Sequence, residues 1–343
     1  MLSALRGLAA NAAVAALIAA TVLPSGAQQA ASAKGEDQSW QAVAPGLVEP
    51  RSGQIRIAAP IIGRISDVLV RATDKVFAGE LLIGLDDREA QARVATAQAQ
   101  VAMRRRLRND VAAGKGADRR KAEDAVAEAE TALIETRDSF DKAATARRAG
   151  EASEADVAAA RTTWTGAVDA LQQRQEQLRH LQAQSGTPLP TEAEGELNVA
   201  RSELWLANVE LEKLKLRAPI AGTALQVKAK IGELAGPSAS EPLVVLGDLS
   251  ALRVRAELDQ RDIGEVKLGQ QVVVRADAFR GREFAGKVVT IAPIVQPGRI
   301  SSPESRNLTD FDVTEVTIDL ADNGPLLVGM KVDVYFRREG ATQ

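Results

Sequence analysis

The sequence predicts an elongated, multidomain α+β chain: a β domain in two halves, a long antiparallel coiled-coil α-hairpin inserted between them, and a small β-barrel domain after it. Three observations predict this. Residues 88–216 carry apolar positions that step by three and four, with almost no β signal. The flanking stretches 46–87 and 217–248 repeat one another's layout. Residues 249–338 then return to short alternating runs.

At 343 residues, 45% apolar and 26% charged, the chain has the composition of a folded protein of one to three domains. Its net charge of −3 and 3% aromatic content imply no nucleic-acid partner. Cysteine is absent and His180 is the single histidine. That removes disulfides, thiolate metal sites and Cys nucleophiles, and most histidine chemistry. No phosphate-cradling Gly loop, serine triad or metal constellation is present. The pairs Asp86-Asp87 and Glu123-Asp124 lack the cleft an acid–base pair needs. The expectation is a non-enzyme with no cofactor, no catalytic residue and no bound metal.

Residues 1–33 read as an address. Arg6 supplies a positive start, 8–23 is apolar and Ala-rich, and small-residue cleavage patterns follow at Ser25-Gly26-Ala27 and Ala31-Ser32-Ala33. The segment is a signal peptide or, retained, an inner-membrane anchor; with no Cys after it, no lipoprotein anchor is expected. Within 46–87, Ile55-Arg56-Ile57 and 65–70 alternate and 81–85 is a short buried run, punctuated by Pro60, Gly63, Thr73-Asp74 and Gly79. Ala218-Pro219-Ile220-Ala221-Gly222 repeats Ala59-Pro60-Ile61-Ile62-Gly63, and Pro242-Leu243-Val244-Val245-Leu246 echoes the run at 81–85. Each half has too few strands to bury a core alone, so the halves must pair, which brings the two ends of the helical insert together.

Three seams run through the insert: Ala122 to Ala143, Val157 to Leu181 and Leu197 to Leu214. Between the first two, Ala149-Gly150-Glu151-Ala152-Ser153 is a helix stop followed by a Ser N-cap, so the chain turns back there. The arms are nearly equal, roughly 60 residues or about 90 Å each at 1.5 Å per residue. Paired breaks at 113–116 and 185–190, the second with Pro188 and Pro190, fall at similar heights. They predict two hairpin segments stacked end to end with a joint between them. His180 lies beside the seam and points outward. The basic run Arg104-Arg105-Arg106 with Arg108 reads as intersubunit pairing or a solvated face. Trp164 and Trp205 read as packing. In the last region, five or six strands close into a barrel, 262–266 forms one helical turn, and 296–310 forms a loop.

Several motifs resemble the membrane fusion protein family of periplasmic adaptors, hemolysin-secretion type. They are Ala59-Pro60-x-x-Gly63-x-Ile65-x-x-Val68 and Leu216-x-Ala218-Pro219-x-x-Gly222, then Asp262-Ile263-x-x-Val266-x-x-Gly269-Gln270, Gly281-Arg282-x-Phe284-x-Gly286 and Leu327-x-Gly329-Met330-Lys331-Val332. Each is weak alone; their order is specific. The resemblance implies that the split domain is lipoyl-like (a barrel-sandwich hybrid). It implies an adaptor in the periplasm at the inner membrane, bridging an inner-membrane transporter to a TolC-like outer-membrane channel, with copies associating into a hexameric ring. The short tail after Phe336 favours an ABC-type exporter as partner. The alternatives are a proton-driven resistance-nodulation-division (RND) pump and a structural envelope-spanning coiled-coil protein. The family's tip pattern, Arg-x3-Leu-x6-Ser, maps onto Lys142, Ala146 and Ser153, and with Gly150 these are the expected channel-docking residues. Arg282 and Arg299, in barrel loops, are the expected transporter contacts. A lipoyl-type swinging arm is not expected, because Lys75 lies in an earlier turn than the acceptor position.

Overall fold

The computed structural model describes residues 40–111, 116–184, 188–237, 241–300 and 312–338. The predicted address at 1–33 lies outside them, as do 113–115 and 185–187 of the two predicted breaks and most of the predicted loop at 296–310. Among the described residues no helix is long and apolar enough to cross a membrane.

The chain opens with β1 (Trp40–Pro50). It continues through β2 (Ile55–Ile57), β3 (Gly63–Val68), β4 (Lys75–Val76) and β5 (Leu81–Leu85). Four helices follow: α1 (Arg88–Val111), α2 (Ala117–Ala149), α3 (Glu154–Ala183) and α4 (Glu192–Lys213). Then come β6 (Lys215–Arg217), β7 (Gly222–Val227), β8 (Leu234–Ala235) and β9 (Val244–Gly247). The last strands are β10 (Leu252–Asp259), β11 (Gln271–Arg275), β12 (Glu283–Pro297), β13 (Asp312–Leu320) and β14 (Lys331–Arg337). A 3-10 turn at Gln260–Glu265 occupies the predicted helical turn.

The two β repeats interleave. One sheet has the order β2-β9-β7-β4 and the other β6-β5-β3-β8. Replacing each strand by its counterpart in the other repeat turns one order into the other, so the sheets are related by a pseudo-two-fold. Every sheet mixes both halves, as the shortage of strands in each half demands. Lys75 pairs with Thr223, and Gly63 with Ala235. The core is joint: Ile65, Leu82 and Leu85 from one half pack with Ala224, Val244 and Leu246 from the other.

The barrel closes in the order β1-β10-β13-β12-β11-β14, which leaves it no free edge. Its first strand corrects the sequence reading, which places the split domain's start at residue 46. Pro50 and Gly46 pair with Leu252 and Ala256, so the segment 46–50 belongs to the barrel. The strand is faint in the sequence because its inward residues are small. Gly46 faces the core where a Cβ would sit 2.6 Å from Val254 Cγ1, so no larger residue fits. The core behind it contains Val254, Leu258, Ile318, Val334 and Phe336.

The helices depart from the predicted stacking. The backbones of α2 and α3 pack closely along their length, and so do those of α1 and α4. The second pair does not extend the first; it lies back alongside it. Arg108 on α1 bridges Asp124 on α2, and Arg201 on α4 binds the same carboxylate. Further along, Arg137 on α2 bridges Glu212 on α4 at 2.8 Å. The helices therefore run out, back, out and back, and the breaks are reversals. Gly and Pro stop a helix without stating which way the chain leaves, so spacing cannot separate a joint from a reversal.

Ile318 is fully buried in β13. Ile318→Ala should destabilise the barrel by about 2–5 kcal/mol. The check is a lowered denaturant midpoint followed through Trp40 fluorescence, since Trp40 packs on Tyr335 with ring centroids 5.3 Å apart.

Candidate functional site

The α2–α3 turn carries the expected docking residues. Gly150 ends α2 at φ 80, and its N–H donates to the carbonyls of Ala146 and Arg147. Ser153 begins α3 with a reciprocal capping box: its side chain accepts from the Asp156 N–H, and Asp156 accepts from the Ser153 N–H. The Ser153 hydroxyl and N–H hold the Asp156 carboxyl below its ordinary range. Lys142 is exposed and pairs with Asp138 at 2.6 Å. Lys142, Ala146 and Gly150 recur every four residues, so they share one side of the end of α2, with Ser153 just beyond.

Because α2 runs back, this turn lies against the split β domain and not at a far tip. Glu80, fully buried just before β5, accepts from the Phe77 N–H at 2.6 Å. Arg148 Nη2 donates to it at 2.6 Å and to the Leu81 carbonyl at 2.9 Å. Arg147 Nη2 donates to the Lys75 carbonyl at 2.8 Å and lies 3.2 Å from Glu80. Its guanidinium covers the Phe77 ring at 5.1 Å. Gly79, at φ 86, leaves room for Trp164; a Cβ there would lie 2.6 Å from the indole. Trp164 stacks on Phe140 at 5.7 Å, and Arg137 covers it at 5.1 Å. Arg217 on β6 donates to both oxygens of Asp141 and also binds Glu212.

The contact between the two helix pairs is thus largely charged. Asp124 sits between Arg108 and Arg201, and Glu194 between Arg119 and Arg120. Burial pushes both carboxyls up, but their hydrogen bonds and arginine partners outweigh it and hold each below its ordinary value. Glu130, near Arg201, goes the other way, because burial raises it more than that cation lowers it. Arg201 Nε and Nη1, and Arg148 Nε and Nη1, are buried without a hydrogen-bond partner, while Arg119 Nε lies 3.3 Å from the Glu123 carboxylate. Such donors cost about 1–3 kcal/mol each.

Sequence reasoning missed Glu80, Arg147, Arg148 and Gly79. A Glu next to a buried run was the available signal; two arginines in a last helical turn read equally as compensation of the helix dipole. Arg104 and Arg108 of the basic run pair within the chain, with Glu196 and Asp124. His180 is exposed, as expected. Lys75 lies in β4 with its side chain in solvent. Arg282 precedes β12, with its guanidinium 5.8 Å from the Phe284 ring, and Arg299 follows β12. The Arg299 and Ile300 N–H groups donate to Glu257 at 2.8 and 2.7 Å. The fifteen-residue strand β12 lies between the two arginines. Among the described residues no group of three or more acidic or histidine side chains could hold a metal.

Residues 252–308 match the family described as CusB-like, beta-barrel domain. The chain is 27% identical to the multidrug resistance protein MdtN of Escherichia coli K12, over 71% of each chain. It is 28% identical to a UPF0194 membrane protein of Yersinia enterocolitica, over 82% of this chain and 86% of the relative. By these matches the chain is similar to the membrane fusion protein family of periplasmic adaptors. The membrane fusion protein Spr0693 of Streptococcus pneumoniae R6 aligns at 18% identity and a TM-score of 0.47, covering 87% of this chain and 99% of that chain. The side chains gathered at the α2–α3 turn hold two surfaces together.

Acid should loosen this contact. Asp124 and Glu194 have depressed folded values, so their contribution is present above the ordinary values of 3.8 and 4.5 and is lost as pH falls through the folded ones. Glu130, whose folded value is raised, acts in the opposite sense. Hydrogen-exchange protection factors, which are normalised to the intrinsic rate at each pH, should fall in α2 and α4 as pH drops below these ordinary values, while those of the barrel strands hold.

Proposed function

We propose that this chain is the non-enzymatic adaptor of a tripartite exporter in the periplasm, held at the inner membrane, joining an ABC-type transporter to a TolC-like outer-membrane channel. The observation that carries the reading is the placement of the helices. They emerge between two repeats that fold only together, so the insert is rooted at one point, with the barrel continuing from the repeats by β1 and β10. A helical arm and a barrel rooted in one rigid β unit suit a bridge between two partners. Transport energy then comes from the transporter, and self-association into a ring of six supplies a sealed conduit. The order of the hemolysin-type motifs supports the ABC partner; the CusB-like barrel match keeps a proton-driven pump as the second reading.

Photo-crosslinking probes placed separately at Arg282 and Arg299 in the native envelope test the reading, because one barrel end should capture the transporter and the other should not. An ABC permease in the captured material supports the reading, and an RND pump moves it to the second. No inner-membrane partner from either position, with the protein well expressed, would overturn it in favour of a structural envelope protein. Ser153→Arg should abolish export while leaving folding intact; unchanged export would remove Ser153 from the docking surface.

A further inference from the structure

Resting on the adaptor reading, we propose that the observed bundle is a latched form of the arm. The α2–α3 hairpin swings away from α1–α4 as one unit, which carries the Gly150 turn from the split β domain to the arm's far end.

Three observations support the motion. First, the close packing runs within each pair, α2 against α3 and α1 against α4. Phe140, Ala144 and Val157 are buried where α2 meets α3, beside Phe77 of the split β domain. Second, the surfaces between the pairs are joined by arginine–carboxylate clusters that leave several buried donors without partners. A permanent interior satisfies such groups; a separable one gives them back to water. Third, reach changes with the state. Folded back, the arm extends no further than α1, about 36 Å at 1.5 Å per residue, and swung out it extends about 85 Å. Only the open form presents Lys142, Gly150 and Ser153 end-on to a distant partner. Gly116, at φ 100 with no side-chain cap, marks the pivot end of α2.

Glu80 is the latch. It is buried between Arg147 and Arg148 and ties the turn to the split β domain, beside the Arg217–Asp141 pair higher on α2. Phe77 and Gly79 seat Phe140 and Trp164 beside it. Removing one partner of a buried charged bond leaves the other unpaired, so loss of either side favours opening.

The chain has no cysteine, so labels can be placed cleanly. Arg71→Cys and Glu154→Cys line the same groove beside the turn and belong to none of the clusters. With a donor and acceptor on these positions, the full chain should show high energy transfer. Glu80→Gln should raise the low-transfer population at least about tenfold. Arg148→Gln, which changes no residue of the β repeat itself, should do the same where Glu80→Gln perturbs folding. High transfer in both variants, with Trp40 fluorescence showing an intact barrel, would overturn the latch. In cells, bridging the same two cysteines with a cleavable bifunctional thiol reagent should stop export, and reductant should restore it. Export that continues through the bridged protein would also overturn the latch while leaving the adaptor role standing. If deleting the chain changes no export at all, the adaptor role fails, and the energy-transfer result still decides the latch.

Discussion

Everything in this molecule depends on the mutual burial of two short β repeats. Neither half has a core of its own: Leu82 and Leu85 are covered only because Ala224, Val244 and Leu246 arrive from the far side of a 129-residue excursion, the stretch 88–216. The pseudo-two-fold follows from that need, since the edge each repeat leaves open is the edge its counterpart closes. It also fixes the root of the helices. α1 leaves directly after β5 and α4 returns directly into β6, and β5 pairs with β6. The two ends of the insert are therefore held one strand spacing apart, about 4.8 Å.

Two kinds of contact govern the helices, and they have different consequences. Within each pair, small and aromatic apolar side chains bring the backbones close, which is a non-directional gain proportional to area. Between the pairs, arginines reach across to shared carboxylates. Those bonds are directional and offset by desolvation, so they specify one register without adding much net stability. An interface of this kind positions surfaces and releases them under modest changes in charge.

Much of the fold was legible in the residues. The split repeat, the helical insert, the turn at Gly150 and Ser153, and the closing barrel all leave local signals: turn residues, caps and periodicity. What was not legible is relational. Gly116 and Pro190 announce that helices end, but only Arg108 and Arg201 meeting at Asp124 shows that the next helix runs back. β1 was hidden because Ala42, Ala44 and Gly46 satisfy the barrel core by being small. The residues expected to dock share the α2–α3 turn, yet the nearby Glu80 left no signal, because a buried Glu is recognisable only once its cations are in place.

The first strand of the barrel has a consequence for how the protein is made. β1 is the earliest described element, yet its partners β10 and β14 lie more than 200 residues later. As the chain emerges, β1 must wait, an unpaired strand with open hydrogen-bonding edges, while the repeats and helices are still arriving. Loop closure over that distance makes the barrel's ring the last piece to seal. Pro45 and Pro50 suit the interval, since a strand lacking those N–H groups is a poor template for a stray partner.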